Sequence, residues 1–264
     1  MKHLFKTLVI KILKNQVKRL VNKNKLIVIG ITGSVGKTTT KMAVAAVLSQ
    51  KLRVLVREGN YNSEIGMPLS LFQASVPASN NPFSWLQILI QNENIITADF
   101  PYDVAVLEMG ADHPGDIADF MSYIAPDYGI VTAVAPAHVE GFGSVQNILE
   151  EKWLLAKYSK MALVNVDFDI LRDQLNSQTE RDHIDTYATV DTDASVVLQD
   201  SSFGKTGNLT ELQIRLNKSE EILKVQTSLF VKHQFSAILA AVWCAAQLGL
   251  SKDEIRAGVQ AIKP

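Results

Sequence analysis

The sequence has little of what would take a protein out of a reducing compartment or through a bilayer. Cys244 is its only cysteine, which excludes an intrachain disulfide and a cysteine-built zinc cluster and makes a cytoplasmic setting the simplest fit. No apolar run is free of charges for long enough to span a membrane, and there is no repeat or low-complexity tract. Acidic residues are missing altogether before Glu58, whereas Lys2, Lys6, Lys11, Lys14, Lys18, Arg19, Lys23, Lys25, Lys37, Lys41, Lys51, Arg53 and Arg57 all fall in that stretch. With a net charge of −1 the remainder is correspondingly acidic; the split can indicate an anionic partner for the N-terminal end, and no nucleic-acid partner is expected. What the chain has is apolar material. At 47% hydrophobic and 20% charged over 264 residues, it suits one large α/β domain, or one domain plus a small appendage, with a sizeable core.

Residues 1–24 form the first unit. Leu4, Phe5, Leu8, Val9, Ile12, Leu13, Val17, Leu20 and Val21 recur at helical spacing, and lysines fill the other face. Two compatible readings stand. The helix packs its apolar face on the following domain, or it lies on an anionic membrane surface, which would put the protein peripherally at the inner membrane face. Charges interrupt the apolar part and no small-residue cleavage site follows, which argues against a signal peptide.

From residue 25 on, apolar β-branched runs alternate with helical patterns. KLIVIGIT (25–32), VLVRE (54–58), YDVAVLEMG (102–110), YGIVTAVA (128–135) and MALVNVD (161–167) read as buried strands. TTTKMAVAAVLSQKL, FSWLQILIQNENIIT, DIADFMSYIA, VQNILEEKWLLAKYS and HQFSAILAAVWCAAQLGL read as helices, and SKDEIRAGVQAI opens with a capping box, Ser251 to Glu254. Residues 185–230 change to short alternating runs, an antiparallel patch or small subsheet. The expected fold is α/β: a mostly parallel sheet flanked by helices, with ligands at the carboxyl ends of its strands.

The chemistry gathers at those ends. GITGSVGKTTTK (30–41) lies between a strand and a helix, where a phosphate loop belongs, yet Ile31 stands where the Walker A pattern wants its first glycine. Backbone N–H groups from Gly33 through Ser34, Val35 and Gly36 to Lys37 can wrap phosphates at the helix N-terminus. Lys37 would reach the β/γ-phosphates and the Thr38 hydroxyl would bind magnesium. Glu108, ending a neighbouring strand, sits where a phosphate-loop enzyme holds its magnesium; a solvated or helix-capping carboxylate is the alternative. His138 follows the 128–135 strand on the same edge and reads as a second-metal or substrate group, or as a structural histidine. Lys152, in a helix, reads on its own as surface.

GITGSVGKTTTK, NYNSEIGMPLSL (60–71), VLEMGADHPGDI (106–117), AHVEGFGSVQNILEEK (137–152) and LVNVD (163–167) together resemble the central ATPase domain of the Mur ligases, from about residue 25 to the end. That family uses a shorter T-G-x-x-G-K-[ST] loop, matched by Thr32 to Thr38. The resemblance implies ligation through an acyl phosphate. ATP phosphorylates a carboxylate of a UDP-muramoyl peptide or related acceptor, and an amine such as the dipeptide D-Ala-D-Ala displaces the phosphate. It implies ATP and Mg2+ as cofactors, bound by Thr32, Gly33, Ser34, Val35, Gly36, Lys37, Thr38 and Thr39. Thr38 and Glu108 would hold a first magnesium, and His138 and a carbamylated Lys152 a second. Lys37, His138 and Lys152 would act in catalysis. Asn60 and Asn62 match an N-x-N segment near metal and substrate. Two cations suit the attack of one anion on another. Unmodified, Lys152 would pair with phosphate instead.

Several positions depart from the family pattern. Gln234 and Ala237 replace asparagines, one of them near adenine, and Leu154 replaces a glutamate beside the candidate carbamylated lysine. The family's UDP-binding N-terminal domain and its C-terminal domain have no counterpart in residues 1–264, so the expectation is a fragment or truncated reading frame. Besides ligation of D-Ala-D-Ala, the readings left open are a relative acting on a lipid-linked or polyglutamate substrate and an ATP-binding module without ligase activity.

Overall fold

A computed structural model describes residues 2–57, 63–77, 81–136, 139–190, 193–203, 209–216 and 222–263. In chain order the elements are α1 (Lys2–Asn24), β1 (Ile27–Thr32), α2 (Lys37–Leu48), β2 (Val54–Val56), α3 (Gly66–Leu71), α4 (Pro82–Thr97), β3 (Val104–Glu108), α5 (Asp116–Met121), β4 (Tyr128–Val131) and α6 (Val139–Phe142). There follow α7 (Val145–Tyr158), β5 (Met161–Asn165), α8 (Asp169–Asn176), β6 (Ile184–Ala188), β7 (Val196–Phe203), β8 (Thr210–Leu216), β9 (Ile222–Thr227), α9 (Lys232–Gln247) and α10 (Lys252–Gln260).

The strands form one nine-stranded sheet in the order β2-β3-β1-β4-β5-β6-β7-β8-β9. Every pairing from β2 to β7 is parallel, and only β7–β8 and β8–β9 are antiparallel. The antiparallel patch expected in 185–230 therefore continues the main sheet, and β6 and β7 belong to its parallel part. Parallel strands need both faces covered, which is why β1, β3 and β5 read as unbroken apolar runs. One face carries a core built on Val28, Ala105, Leu107, Val164, Trp153 and Leu155. The other is built on Ile29, Ile31, Val104, Val106, Val44, Leu48, Ile238 and Trp243. Strand β1 is central, between β3 and β4, with Ile31 in register with Glu108 and Ile130. The connection out of β1 leads to β2 on one side and that out of β4 to β5 on the other, so the carboxyl ends of these two neighbours open onto the crevice in which such sheets bind ligands.

The elements differ from the sequence reading at some strand ends and in three added short helices. Strand β4 ends at Val131, because Thr132 to Ala135 turn toward the phosphate loop. The short helices α3, α6 and α8 fall in segments the sequence had left unassigned; α3, with Pro68 inside it, is buried along its whole length.

Helix α1 takes the packing role. Val9, Leu13, Val17 and Leu20 are fully or nearly buried, each such side chain contributing roughly 1.5–3 kcal/mol of burial. The Lys23 ammonium donates to the carbonyls of Ile96 (2.6 Å), Thr97 (2.8 Å) and Ala98 (3.2 Å) at the C-terminus of α4, where a cation is favoured. The capping box expected at α10 is present, with both Ser251 and Glu254 hydrogen-bonded as that motif requires.

Candidate nucleotide and magnesium site

The loop between β1 and α2 is held from β4. Ser34 N–H donates to Ala133 O at 2.8 Å, and Ala135 N–H donates to Ser34 Oγ at 3.0 Å. The Thr132 hydroxyl lies 2.6 Å from Val35 O and 3.1 Å from Thr32 O, while Asn165 Nδ2 donates to Thr132 O at 2.9 Å. Two glycines make the path possible. Gly33 has φ +151°, and a Cβ there would stand 2.0 Å from Thr132 Oγ1. Gly36, at φ +83°, is the N-cap of α2 and leaves that helix start without a side-chain cap. An uncapped start whose amides face a glycine loop is the arrangement that accepts phosphate oxygens. Lys37 Nζ donates to Gly33 O at 2.8 Å, folding the ammonium over the loop. Thr32 is fully buried, and its carbonyl accepts from the Thr132 amide at 2.9 Å and the Thr132 hydroxyl at 3.1 Å.

Glu108 ends β3 beside the first turn of α2. Thr38 Oγ1 donates to Glu108 Oε2 at 2.9 Å, and Lys41 Nζ lies 3.3 Å from the same oxygen. Lys41 and Glu108 are both buried, with side chains 3% and 6% exposed. Three residues apart, Thr38 and Lys41 share the helix face turned to β3. Lys41 is the residue sequence reasoning missed. Spacing puts it on the helix face of Thr38, but nothing local in the sequence shows that Glu108 lies opposite. Thr38 and Glu108 supply hard oxygen donors side by side, a set that fits Mg2+, an ion that keeps several of its waters. Among the described residues no group of three or more His, Cys, Asp or Glu gathers as a metal site.

Lys152, which on its own had read as surface, is 3% exposed on α7. Burial, and then the nearby Lys37 charge, bring its ammonium down to about 8, against the opposing pull of Asp112, Glu151 and Asp116. Its neighbour Glu151 is also buried, and its carboxylate accepts Gly115 N–H at 2.8 Å and Ile117 N–H at 2.6 Å, tying α7 to the start of α5. Asp116 accepts the amides of Asp112 and His113, each at 2.9 Å, which shapes the segment after β3. Helix α7 thus brings Lys152 to the phosphate-loop lysine.

The structure brings Thr32 to Thr39, Glu108 and Lys152 to one edge of the sheet. Asn60, Asn62 and His138 lie outside the described residues. Of the positions departing from the family pattern, Ala237 lies on the buried face of α9 in the apolar core, and Leu154 and Gln234 are half-buried.

A family model described as the Mur ligase middle domain matches residues 31–80 and 90–245. The UDP-N-acetylmuramoyl-tripeptide–D-alanyl-D-alanine ligase of Treponema pallidum (strain Nichols) is 30% identical over 244 residues, covering 90% of this chain and 45% of that relative. Its namesake in Escherichia coli (strain K12) is 28% identical over 239 residues, 89% of this chain and 46% of the relative. The chain therefore spans about half the length of these curated relatives. Among solved structures, MurF from Acinetobacter baumannii superposes with a TM-score of 0.73 at 22% identity, covering 96% of this chain and 49% of that one. The MurF ligase from Thermotoga maritima in complex with ADP gives 0.70 at 24%, covering 94% and 52%. At those identities the structural likeness shows a shared fold.

Proposed function

The chain belongs to the Mur ligase family through its middle domain, and we propose that it is the ATP-binding part of an ATP-dependent, ADP-forming amide ligase of peptidoglycan precursor synthesis, working in the cytoplasm. The acceptor is a UDP-muramoyl peptide and the amine D-Ala-D-Ala, as the names of the Treponema pallidum and Escherichia coli relatives suggest. One observation carries the reading: glycine loop, Thr38–Glu108 pair and buried Lys152 meet at the carboxyl ends of β1 and β3.

ATP would supply the phosphoryl group that turns the acceptor carboxylate into an acyl phosphate, and Mg2+ would offset the repulsion between the two anions. The chain's own residues set the conditions. The start of α2 and its loop offer amide dipoles to phosphate, and Lys37 adds a cation over the loop. Thr38 and Glu108 hold the magnesium. Burial leaves the Lys152 amine neutral more readily than an exposed lysine, the form that can add carbon dioxide to become a carbamate ligand. His138 is assigned beside it, and Asn60 and Asn62 near metal and substrate, on the family pattern.

The test is ADP release in the presence of a UDP-muramoyl tripeptide and D-Ala-D-Ala, by the longest native form carrying this domain. Acceptor-dependent ADP and a new amide are expected. ADP release with a lipid-linked or polyglutamate acceptor and none with the UDP-muramoyl peptide would overturn the assignment of substrate. Nucleotide binding with no turnover on any acceptor would leave a binding module.

A further inference from the structure

Most of the apolar stripe that the N-terminal helix offered to a membrane, Val9, Leu13, Val17 and Leu20, is used inside the protein, on Trp85 and Leu69 and in the main core, whereas Leu4 and Leu8 stay exposed. A different surface remains, shared by α1 and α4. Gln16 bonds to Leu89 and Glu93, and Lys23 to Ile96, at sequence offsets of 73 to 77 residues, so the two helices run parallel. Leu8 therefore stands level with the first turn of α4, and Leu4 about one turn beyond the start of that helix. At about 100° per residue they lie on the side of α1 turned away from Val9, Leu13 and Leu20. Phe83, Leu86 and Ile90, spaced i, i+3, i+7, lie on the side of α4 turned away from Trp85 and Asn92. These five side chains, on the outer faces of two neighbouring helices, are 77%, 55%, 75%, 53% and 52% exposed, apolar exposure of the kind that marks an interaction surface.

The outer face of α1 continues as a basic row at heptad spacing, Lys11, Lys18 and then Lys25. The inward cations are occupied: Lys14 pairs with Asp119, Arg19 with Glu93 at 2.8 Å, and Lys23 with α4 carbonyls. Glu93, the only carboxylate of α4, is thereby neutralised. Lys18 and Lys25 line, with Lys160, a groove of about 500 Å³ whose one carboxylate, Asp127, is paired with Lys160. The groove lies at the amino-terminal edge of the sheet, away from the phosphate loop.

We propose that this two-helix face docks the protein on an anionic lipid bilayer. The five apolar side chains enter the boundary between headgroups and acyl chains, and the lysine row meets the lipid phosphates. Among the described residues no helix is long and apolar enough to cross a membrane, so the contact is peripheral. A second copy of the chain fits the face less well, since a two-fold contact brings the same lysine row against itself.

The experiment is sedimentation of the 264-residue chain with vesicles of phosphatidylglycerol and phosphatidylcholine in equal parts, against pure phosphatidylcholine. Partitioning at least about tenfold stronger on the anionic vesicles is expected, each lysine contributing roughly fivefold. L8S/L86S/I90S should cut it about tenfold or more, and K11E/K18E should abolish the preference for anionic lipid. Both variants should keep the wild-type thermal midpoint, because these side chains are exposed. The proposal is overturned if the wild type stays in the supernatant or sediments equally with both vesicles. It is also overturned if L8S/L86S/I90S sediments like the wild type, or if the wild type is a dimer that this variant turns into a monomer.

Discussion

The two edges of the parallel sheet hold charge in opposite ways. At the amino-terminal edge the ion pairs are wet: Arg53 with Asp103 at 2.6 Å has side chains 65% and 36% exposed, and Lys160 with Asp127 leaves its lysine 74% exposed. Arg53 still holds the Asp103 carboxyl down to about 2, which shows close hydrogen bonding rather than burial. At the carboxyl-terminal edge Glu108, Lys41, Lys152 and Glu151 are all buried. Exposed pairs contribute little to stability, while buried charge is costly unless something compensates it. A fold that keeps four buried ionisable groups at one edge has a use for them there, and that edge is the one carrying the glycine loop.

The largest expected effect comes from breaking the buried pair. Lys41→Met leaves Glu108 without its cation and should cost about 3–5 kcal/mol in urea denaturation, against no measurable change for Arg53→Ala at the other edge. Equal effects from the two substitutions would remove the contrast. Next comes Gly33→Ala. Strain at that backbone position is of order 1–3 kcal/mol, and the new Cβ meets Thr132 Oγ1. A lowered thermal midpoint together with lost nucleotide affinity is the expected pair of readouts, and an unchanged midpoint would show that the loop gives way freely.

The smallest effect is a titration. The folded value of Lys152 is depressed, so its proton leaves near pH 8 in the native state but near 10.5 in the unfolded chain. Between those values the unfolded chain holds more protons, and this group makes stability rise with pH; below pH 8 its penalty is constant. The 13Cε resonance of Lys152 should move with a midpoint near 8 and be absent in Lys152→Ala. A midpoint near 10.5 would place the amine in water.

How much of this the sequence carried follows the same division. Strand, glycine loop and helix at 25–48, and Glu108 at the end of an apolar run, are local patterns, and local patterns survive folding. Lys152 was hidden because α7 is buried nearly all round, from Ile148 through Ala156, so periodicity offers no face on which to place it. Lys41 was hidden for another reason: its carboxylate partner is 67 residues away on a different element, and spacing along a helix does not reveal what lies opposite. Helix α3 was missed because Gly66 and Pro68 argue against a helix, while burial of its whole length overrides propensity.

The central claim is that the buried edge binds a nucleotide through magnesium, and calorimetric titration of the 264-residue chain with ADP, with and without Mg2+, tests it most directly. The account predicts magnesium-dependent binding that Lys37→Ala weakens by about tenfold to a hundredfold, the loss of a hydrogen-bonded charge. It predicts that Glu108→Ala abolishes the dependence on Mg2+. Absence of binding, or binding that neither substitution nor chelation of the metal alters, would contradict it.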